Sequence, residues 1–351
     1  MKAIIGIGFF IFLGLFAALL TGFGGNLTQG SLPYDEVQEG LDDRIIIKFS
    51  HVVAENTPKG LAAEKFAQLA AEKTHGRVEV QIYPNGILYS DQDEADGLMR
   101  GDIQMIAPAF SKLSNLIPAW LALDLPFAFR DQAEVDQALQ GEIGQMLFRT
   151  LEEKNMFGLA FWNNGFKQMS SKLKPLITPE DFTGQRFRIM PSKVIEMQFQ
   201  LLHAKAVPIS FNEVYRSLER DEVEGQENTI SNIYTKRLYT VQKYMTLSNH
   251  AYLGYAVIMN KTFWEKLPPD IQSELAEAMQ ETTEWANRQA VSMNERQLQE
   301  LKATGLHIHQ LTPKEREKWE AAFQPIYDHY APVIGRELMS KIAELQKQRE
   351  E

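Results

Sequence analysis

Two arginines stand in the segment Arg186-Phe187-Arg188-Ile189-Met190, which has the alternation of a β-strand. If Phe187 and Ile189 face a core, both guanidinium groups point to the opposite face, toward solvent or toward a cleft. In a cleft, a guanidinium presents a planar pair of donors that matches the two oxygens of a carboxylate. The pattern alone leaves a surface arginine and a carboxylate-binding arginine as equal alternatives.

A dense polar group, Gly225-Gln226-Glu227-Asn228, follows a predicted helix. Glycine and asparagine favour turns, so turn chemistry is an alternative to a binding role for this group. The preceding helix is predicted from Ser210-Phe211-Asn212-Glu213, which has the spacing of a capping box. In such a box the serine caps the helix and the glutamate three residues later returns the hydrogen bond.

The signatures of common enzyme classes are missing from the sequence, which has no G-x-S-x-G elbow, P-loop, H-E-x-x-H motif or dinucleotide-binding glycine pattern. There is no cysteine, which excludes disulfides, thiolate zinc sites, thiol catalysis and lipid attachment through an N-terminal cysteine. His307 and His309 alternate on a predicted strand, and two solvated imidazoles are favoured over a metal site. We therefore expect no enzyme activity, no metal and no cofactor.

The charge balance restricts the partners of the chain. Lysine and arginine total 36 against 46 acidic residues, which gives a net charge of −10. Nucleic acid is disfavoured as a partner, because its recognition needs clustered cations that displace counterions from phosphates. An acidic protein that binds a small anion must do so locally, with a few buried cations.

The N-terminal segment has the pattern of an export signal. Met1-Lys2 is followed by an uncharged apolar run from Ala3 to Phe23. The run approaches the ~20 residues that span a bilayer, and no clear A-x-A site follows it. Residues 1–25 are therefore predicted to be either a cleaved signal peptide or a retained anchor. Both alternatives place the rest of the chain in the periplasm, after a polar linker over residues 26–43.

Strands and helices alternate in the part of the chain that must position the polar residues. A strand over 45–49, a helix that starts at Thr57-Pro58 and a strand over 78–82 form a βαβ unit. Such a unit favours a largely parallel sheet. The middle of the chain repeats this order, with strands predicted over 156–162 and 186–190.

Long helices follow in the C-terminal third. The pattern over 269–302 is helical without a breaker, and a helix of that length can bridge two lobes. Thr312-Pro313 predicts a last helix with Trp319 and Phe323 facing inward. The sequence thus predicts an α/β fold of two lobes with mixed, largely parallel sheets, bridging helices and a ligand cleft. Lobe I is predicted to comprise residues 44–165 plus about 254–293, and lobe II residues 166–253 plus about 294–345.

Several motifs occur in a characteristic order between about Lys48 and Trp264. They are Lys48-Phe49-Ser50-His51-Val52-Val53, Thr57-Pro58-Lys59-Gly60, Trp162-Asn163-Asn164-Gly165-Phe166-Lys167-Gln168, Gly184-Gln185-Arg186-Phe187-Arg188-Ile189, Glu213-Val214-Tyr215, Gly225-Gln226-Glu227-Asn228, Tyr239-Thr240-Val241-Gln242-Lys243-Tyr244 and Asn249-His250. In these motifs the chain resembles the substrate-binding subunits of tripartite ATP-independent periplasmic (TRAP) transporters, specifically the dicarboxylate-binding DctP type. The resemblance is weaker through the C-terminal helices. It implies the two-lobed periplasmic-binding-protein-like fold.

The resemblance also implies ligand-binding roles. Arg188 corresponds to the arginine that binds the ligand carboxylate, and Asn228 to an asparagine that hydrogen-bonds the same end. The position of Lys167 is a second cation in the family, arginine in sialic acid binders and commonly lysine in dicarboxylate binders. A lysine here favours a short diacid over a bulky sugar acid.

Further candidates come from the dicarboxylate branch of the family. Lys59 and Ser111-Lys112 resemble residues that could hold the distal carboxylate, although a solvated lysine at a helix start is an alternative for Lys59. His51 and Tyr252 are additional candidates for the pocket wall.

The chain also departs from the family. Asp221 and Glu224 stand where the family usually has glycine and aspartate, so a modified turn is expected before Asn228.

The function that the resemblance implies is solute binding for transport. We expect a monomer that closes over a four-carbon dicarboxylate, such as succinate, malate or fumarate, and delivers it to TRAP permease subunits. Another organic acid, such as a keto acid or a sugar acid, is an alternative ligand. A membrane-anchored carboxylate sensor is an alternative role, and an exported enzyme acting on carboxylates is the least favoured.

Overall fold

Residues 44–348 are described by the structure, which is a computed structural model. The predicted signal or anchor over residues 1–25 and the predicted linker over residues 26–43 lie outside the described residues. Within residues 44–348, no helix has both the length and the apolar character that crossing a membrane requires.

The strands of the described residues form two sheets that share one long strand. The strands are β1 Ile45–Ser50, β2 Val78–Tyr83, β3 Met105–Ile106, β4 Met156–Ser171, β5 Arg186–Ile189, β6 Lys205–Pro208, β7 Gly225–Thr229, β8 Tyr244–Leu247, β9 Tyr252–Asn260 and β10 His307–Gln310. The first sheet has the order β2-β1-β3-β9-β4, and the second has the order β4-β7-β5-β6, with β8 beside β4 and β10 beside β8. The outer ladders are parallel, whereas β9 and β7 run antiparallel to β4. The sheets are therefore mixed.

Strand β4 passes from the first sheet to the second. Its residues Met156 to Phe166 pair with β9, and its residues Lys167 to Ser171 pair with β7. A bulge shifts the register between Asn163 and Gly165 just before this crossing. The strand is longer than the predicted 156–162, because its polar residues after Trp162 remain paired and mostly buried.

Helices pack against strands of both sheets. Within the described residues they are α1 Pro58–Lys73, α2 Glu94–Arg100, α3 Phe110–Leu113, α4 Gln132–Gln140, α5 Glu142–Leu151, α6 Lys193–Leu201, α7 Val214–Glu219, α8 Ile230–Thr235, α9 Lys261–Lys266, α10 Pro269–Lys302, α11 Pro313–Ile334 and α12 Arg336–Lys347. Helix α10 has the predicted bounds and packs on α1 and β4 of the first sheet and on α8 beside the second. Short 3-10 helices lie at Pro118–Asp124, Glu152–Lys154, Pro179–Phe182, Phe211–Glu213 and Leu238–Thr240.

The start of α1 is fixed by its sequence. The Thr57 hydroxyl accepts a hydrogen bond from the backbone N–H of Gly60 at 3.1 Å, and Pro58 occupies the first turn. Gly60 packs so tightly on the preceding loop that an added Cβ would lie 2.4 Å from the carbonyl oxygen of Ala54. Only glycine fits there. The Thr-Pro-Lys-Gly motif therefore fixes the helix start and, with it, the position of Lys59.

The turn alternative for Gly225-Gln226-Glu227-Asn228 and the capping box predicted at Ser210 are wrong, although the helix predicted after Ser210 is present. Gly225 to Thr229 is the buried strand β7 and not a turn, because it is paired on both edges, with β4 and β5. Ser210 occupies the N-cap position of the 3-10 helix Phe211–Glu213, but its side chain makes no capping hydrogen bond. Its hydroxyl donates instead to the carboxylate of Asp91 at 2.6 Å, so the side chain is unavailable to the helix start that follows it.

Candidate ligand-binding site

A cavity is lined by residues of both sheets and of the helices that follow their strands. The empty space between and around its side chains, including space open to solvent, is about 410 Å³. Apolar walls are supplied by residues such as Val53, Met190 and Leu253. The charged and amide side chains that line it are Lys59, Asp91, Glu94, Lys112, Arg188, Asn228 and Asn232.

Arg188 projects into this cavity from β5. Its strand neighbours Phe187 and Ile189 are buried on the opposite face, as the alternation predicted, and Arg188 itself is only 1% exposed. The Nε of Arg188 donates to the carbonyl oxygen of Ile209 at 2.9 Å. Neither Nη1 nor Nη2 has a hydrogen-bond partner among the described residues. Arg186, at the start of the same strand, instead pairs with Glu224 outside the cavity.

The unpaired nitrogens of Arg188 define what this end of the cavity can bind. Burial lowers the pKa of Arg188 to about 10, although the negative charges of Asp91 and Glu227 raise it. The side chain is therefore protonated at neutral pH. A buried guanidinium without partners is costly. A carboxylate satisfies both nitrogens at once through two parallel, charge-assisted hydrogen bonds.

Asn228 and Asn232 lie beside Arg188 and are linked to each other. Asn228 is near the end of β7 and lines the cavity. Helix α8 begins two residues later, with Thr229 as its N-cap. This arrangement lets Asn232 Nδ2 donate to Asn228 Oδ1 at 2.6 Å, while the backbone N–H of Thr229 donates to the same oxygen at 3.1 Å. With its oxygen engaged, the Asn228 amide has its NH₂ group available as a donor to an anion.

A second positive region is formed by Lys59 and Lys112. Lys59 Nζ donates to the carbonyl oxygen of Ala107 at 2.8 Å and lies 4.0 Å from the centre of the Tyr255 ring. Burial lowers the pKa of Lys59, and the charges of Glu94 and Asp91 oppose this shift. Lys112 Nζ is 2.7 Å from the carboxylate of Asp91.

Two acids complete the charged groups of the cavity. Burial disfavours the charge on Asp91, but the nearby Lys112, the Ser210 hydroxyl and Arg188 outweigh it and lower the pKa of Asp91. Burial raises the pKa of Glu94 to about 7. The positive charge of Lys59 lowers this pKa, and the negative charge of Asp91 raises it.

Of the residues predicted for the site, Arg188, Asn228 and Lys59 line this cavity and Lys167 does not. Lys167 is fully buried, and its Nζ lies 2.8 Å from the carboxylate of Glu227. Glu227 and Asn228 are consecutive on β7, so their side chains leave the strand on opposite faces. Lys167 therefore pairs with Glu227 on the face of β7 opposite to Asn228, which lines the cavity.

The other predicted residues support the walls without lining the cavity. The Ser111 hydroxyl donates to Asp124, and its neighbour Lys112 is the residue that faces the cavity. Tyr252 donates its hydroxyl to Asn163 Oδ1 at 2.8 Å. His51 is buried next to the wall residue Val52, and burial together with the charge of Lys59 lowers its pKa to about 3, which keeps the ring neutral.

Sequence reasoning missed Asp91, Glu94 and Asn232. Asp91 and Glu94 belong to the run Ser90-Asp91-Gln92-Asp93-Glu94, whose composition is typical of a solvated loop. A signal existed for Asn232, because it is four residues after Asn228 and a helix starting between them brings the two amides together.

Two relatives are similar to this chain along most of their length. The C4-dicarboxylate-binding protein DctB of Bacillus subtilis is 48% identical over 348 residues, covering 99% of this chain and 99% of the relative. The C4-dicarboxylate-binding periplasmic protein DctP of Rhodobacter capsulatus is 45% identical over 304 residues, covering 86% of this chain and 91% of the relative.

A solved structure has the same fold. The TRAP periplasmic solute-binding protein of Sulfurospirillum deleyianum, crystallised with bound succinate, superposes with a TM-score of 0.83 at 42% identity, over 86% of this chain and 99% of that one. The two-lobed α/β architecture predicted from the sequence is thereby confirmed. Residues 49–332 match the profile of the DctP family. The chain therefore belongs to the family described as bacterial extracellular solute-binding protein, family 7.

Proposed function

We propose that this protein binds a four-carbon dicarboxylate outside the cytoplasmic membrane, as a monomer, and delivers it to the permease subunits of a TRAP transporter. The observation that carries the proposal is the buried Arg188 guanidinium, whose two Nη atoms face the cavity without partners among the described residues. The names of the two relatives and the succinate in the related structure support the ligand class. The protein binds and releases the ligand without converting it.

The ligand is held at both ends. Arg188 and the NH₂ group of Asn228 bind one carboxylate through charge-assisted hydrogen bonds. Lys59 and Lys112 provide positive charge for the other carboxylate. A monocarboxylate satisfies Arg188 but brings no carboxylate to Lys59, so a diacid is preferred.

Lobe closure brings these ends together. Arg188 and Asn228 belong to the second sheet, whereas Lys59 follows β1 and Lys112 follows β3 of the first sheet. The proposed lobe boundary after residue 165 is supported by β4, which changes sheets between Phe166 and Lys167. A ligand that bridges the two groups stabilises the closed state by its differential affinity for it.

Calorimetric titration of the purified protein tests the proposal. We expect succinate, malate or fumarate to bind, and butyrate, a monocarboxylate of equal length, to bind far more weakly. Arg188→Lys keeps the charge but loses the planar fork, and Arg188→Ala loses both. Truncation is expected to cost about 2–5 kcal/mol, which is roughly 30- to several-thousand-fold in affinity.

Arg186→Lys is the matched control, because Arg186 is on the same strand and pairs with Glu224 away from the cavity. We expect wild-type affinity from this variant. Equal losses in the Arg186 and Arg188 variants, or equal affinity for butyrate and succinate, would contradict the proposal.

A further inference from the structure

The carboxyl group of Glu94 is an unusual part of the cavity wall. It is 1% exposed, and neither of its oxygens has a hydrogen-bond partner among the described residues. Buried carboxylates in proteins are ordinarily hydrogen-bonded or paired, because an isolated buried charge is costly. Glu94 lines the cavity, so a bound ligand is a candidate for the missing partner.

The cations around Glu94 already have other partners. Lys59, from α1, contacts the carbonyl oxygen of Ala107 and the Tyr255 ring of β9. Lys112, from α3, pairs with Asp91. Asp91 lies before α2 and adds a negative charge that opposes ionisation of Glu94.

The other charged or titratable groups near the cavity, Arg188, His51 and Tyr255, are not among the charges that shift the pKa of Glu94. Arg188, across the cavity on β5, acts on Asp91 and Lys112. His51, next to Lys59, stays neutral because burial lowers its pKa to about 3. Burial also raises the pKa of Tyr255 beyond the physiological range, so its hydroxyl is neutral.

The charge count of the cavity depends on the state of Glu94. Arg188, Lys59 and Lys112 are three cations, while Asp91 and Glu94 are two acids, which gives 3 − 2 = +1 when both acids are ionised. Protonation of Glu94 leaves one anion and gives 3 − 1 = +2. A dicarboxylate carries two negative charges at neutral pH, so it matches the protonated state. A protonated carboxyl is also a hydrogen-bond donor, which a carboxylate ligand can accept.

We propose that Glu94 takes up a proton when a dicarboxylate dianion binds and donates a hydrogen bond to it, so that Glu94 sets the preference of the site for a doubly charged ligand near neutral pH. This inference rests on the proposed function. Burial raises the pKa of Glu94 to about 7, and a dianion beside it raises that pKa further. Binding above neutral pH is therefore linked to proton uptake.

Calorimetry of succinate binding at pH 7.0, in two buffers with different ionisation enthalpies, counts the protons. Because the pKa of Glu94 is about 7, we expect uptake of about half a proton by the wild type. Above pH 7 the affinity should fall by up to about tenfold per pH unit. Glu94→Gln should bind succinate without this uptake. Asp96→Asn, an exposed acid on the same helix, should behave as the wild type.

Lys59 is a second group that could take up a proton when the ligand binds, because burial lowers its pKa too. Lys59→Arg keeps a charge that does not titrate in this range. If Glu94 is the group that takes up the proton, Lys59→Arg retains about half a proton of uptake per succinate bound at pH 7.0, even where its affinity is lower. Loss of the uptake in this variant, or its persistence in Glu94→Gln, overturns the inference.

A direct measurement on the wild type does not depend on any variant folding. Carbon-13 NMR of the glutamate side-chain carboxyls should show the Glu94 signal moving toward the protonated form when succinate is added at pH 7.5. An unmoved signal overturns the inference. Succinate binding without proton uptake contradicts this inference alone, whereas failure of every dicarboxylate to bind at any pH contradicts the proposed function.

Discussion

Lys167, Glu227 and His250 form a buried charged group behind Asn228. The Glu227 carboxylate lies 2.8 Å from Lys167 Nζ and 2.9 Å from His250 Nε2. His250 Nδ1 lies 2.7 Å from the Ser248 hydroxyl. Because a carboxylate only accepts, Nε2 carries the hydrogen that bonds Glu227, and in the neutral ring Nδ1 accepts from Ser248. Burial lowers the pKa of His250, although the bond to Glu227 opposes the shift.

This group predicts a specific loss of stability in acid. His250 has a lower pKa in the folded protein than its ordinary 6.5, so the unfolded chain binds the proton more readily, and the free energy of unfolding falls as the pH drops below about 6.5. Burial disfavours the charge on Glu227, but Lys167 and His250 outweigh it and lower its pKa from 4.5 to about 2. The stability that Glu227 contributes is therefore present above pH 4.5 and is lost between about 4.5 and 2.

Urea denaturation of the ligand-free protein, followed by tryptophan fluorescence, measures this dependence. His250→Gln keeps a donor toward Glu227 but cannot titrate, so its stability should change less than that of the wild type between about pH 7 and 5.5. His329→Gln, at an exposed position of α11, is the control and should follow the wild type. The assignment to His250 is refuted if His250→Gln has the same slope as the wild type over this range.

The site could be predicted from the sequence only in part, because the pattern of one strand does not show which distant elements face it. Arg188 was placed correctly on a strand face by the alternation of Phe187 and Ile189, but whether that face met solvent or a cleft depended on β7 and α8, which are distant in sequence. Lys167 illustrates the limit. Its chemistry suits a ligand carboxylate, and only the pairing of β4 with β7 places Glu227 within reach of it.

At the scale of elements, the periodic helices and the β-branched strands were predictable, since each carries its own signal. Helix α10 follows its apolar stripe from Pro269 to Lys302, and Thr312 caps α11 with the reciprocal bonds of a capping box. The extension of β4 beyond Trp162 was not predictable, because its polar residues are buried by tertiary pairing. Asp221, which stands where the family usually has glycine, has a left-handed φ of 57°, a conformation that aspartate tolerates better than most residues.

Gly165 offers a test of the strand that joins the two sheets. Its φ is +122°, and an added Cβ would lie 3.1 Å from Asn294 Nδ2. That amide is not free to move, because it donates to the carbonyl oxygens of Asn164 and Ala290, each at 2.7 Å. Gly165→Ala should therefore lower the free energy of unfolding by about 1–3 kcal/mol.

The comparison for this variant is Gly76→Ala. Gly76 also has a positive φ, +79°, but an added Cβ there meets nothing within 4 Å. In Gly76→Ala only the positive φ is unfavourable, so this variant should lose less stability in urea denaturation than Gly165→Ala. Similar losses at both positions would mean that the contact with Asn294 adds nothing to the requirement for glycine.

At the scale of the whole molecule, polar contacts join the two predicted lobes at and near the cavity. Ser210 donates to Asp91 at 2.6 Å, and the backbone N–H of Phe211 donates to the same carboxylate at 3.3 Å. Asn115 Nδ2 donates to the carbonyl oxygen of Pro191 at 2.9 Å. Each bond joins segments that are more than 70 residues apart and that belong to different predicted lobes. The structure therefore has the features of a closed form, and a ligand needs an opening to enter.

These contacts predict that a residue outside the cavity controls how long the ligand stays. Ser210→Ala removes one bond of the closed form without changing the cavity lining, and it should cost about 0.5–1.5 kcal/mol, or roughly 2- to 10-fold in affinity. The loss should lie in the dissociation rate measured by stopped flow, because the association rate depends on the open form.

In solution scattering, succinate should reduce the radius of gyration of the wild type, and Ser210→Ala should need more succinate for the same reduction. Ser340→Ala, at an exposed position of α12, should match the wild type in both measurements. Unchanged dissociation from Ser210→Ala, or identical scattering with and without succinate, would show that the Asp91–Ser210 contact takes no part in ligand retention.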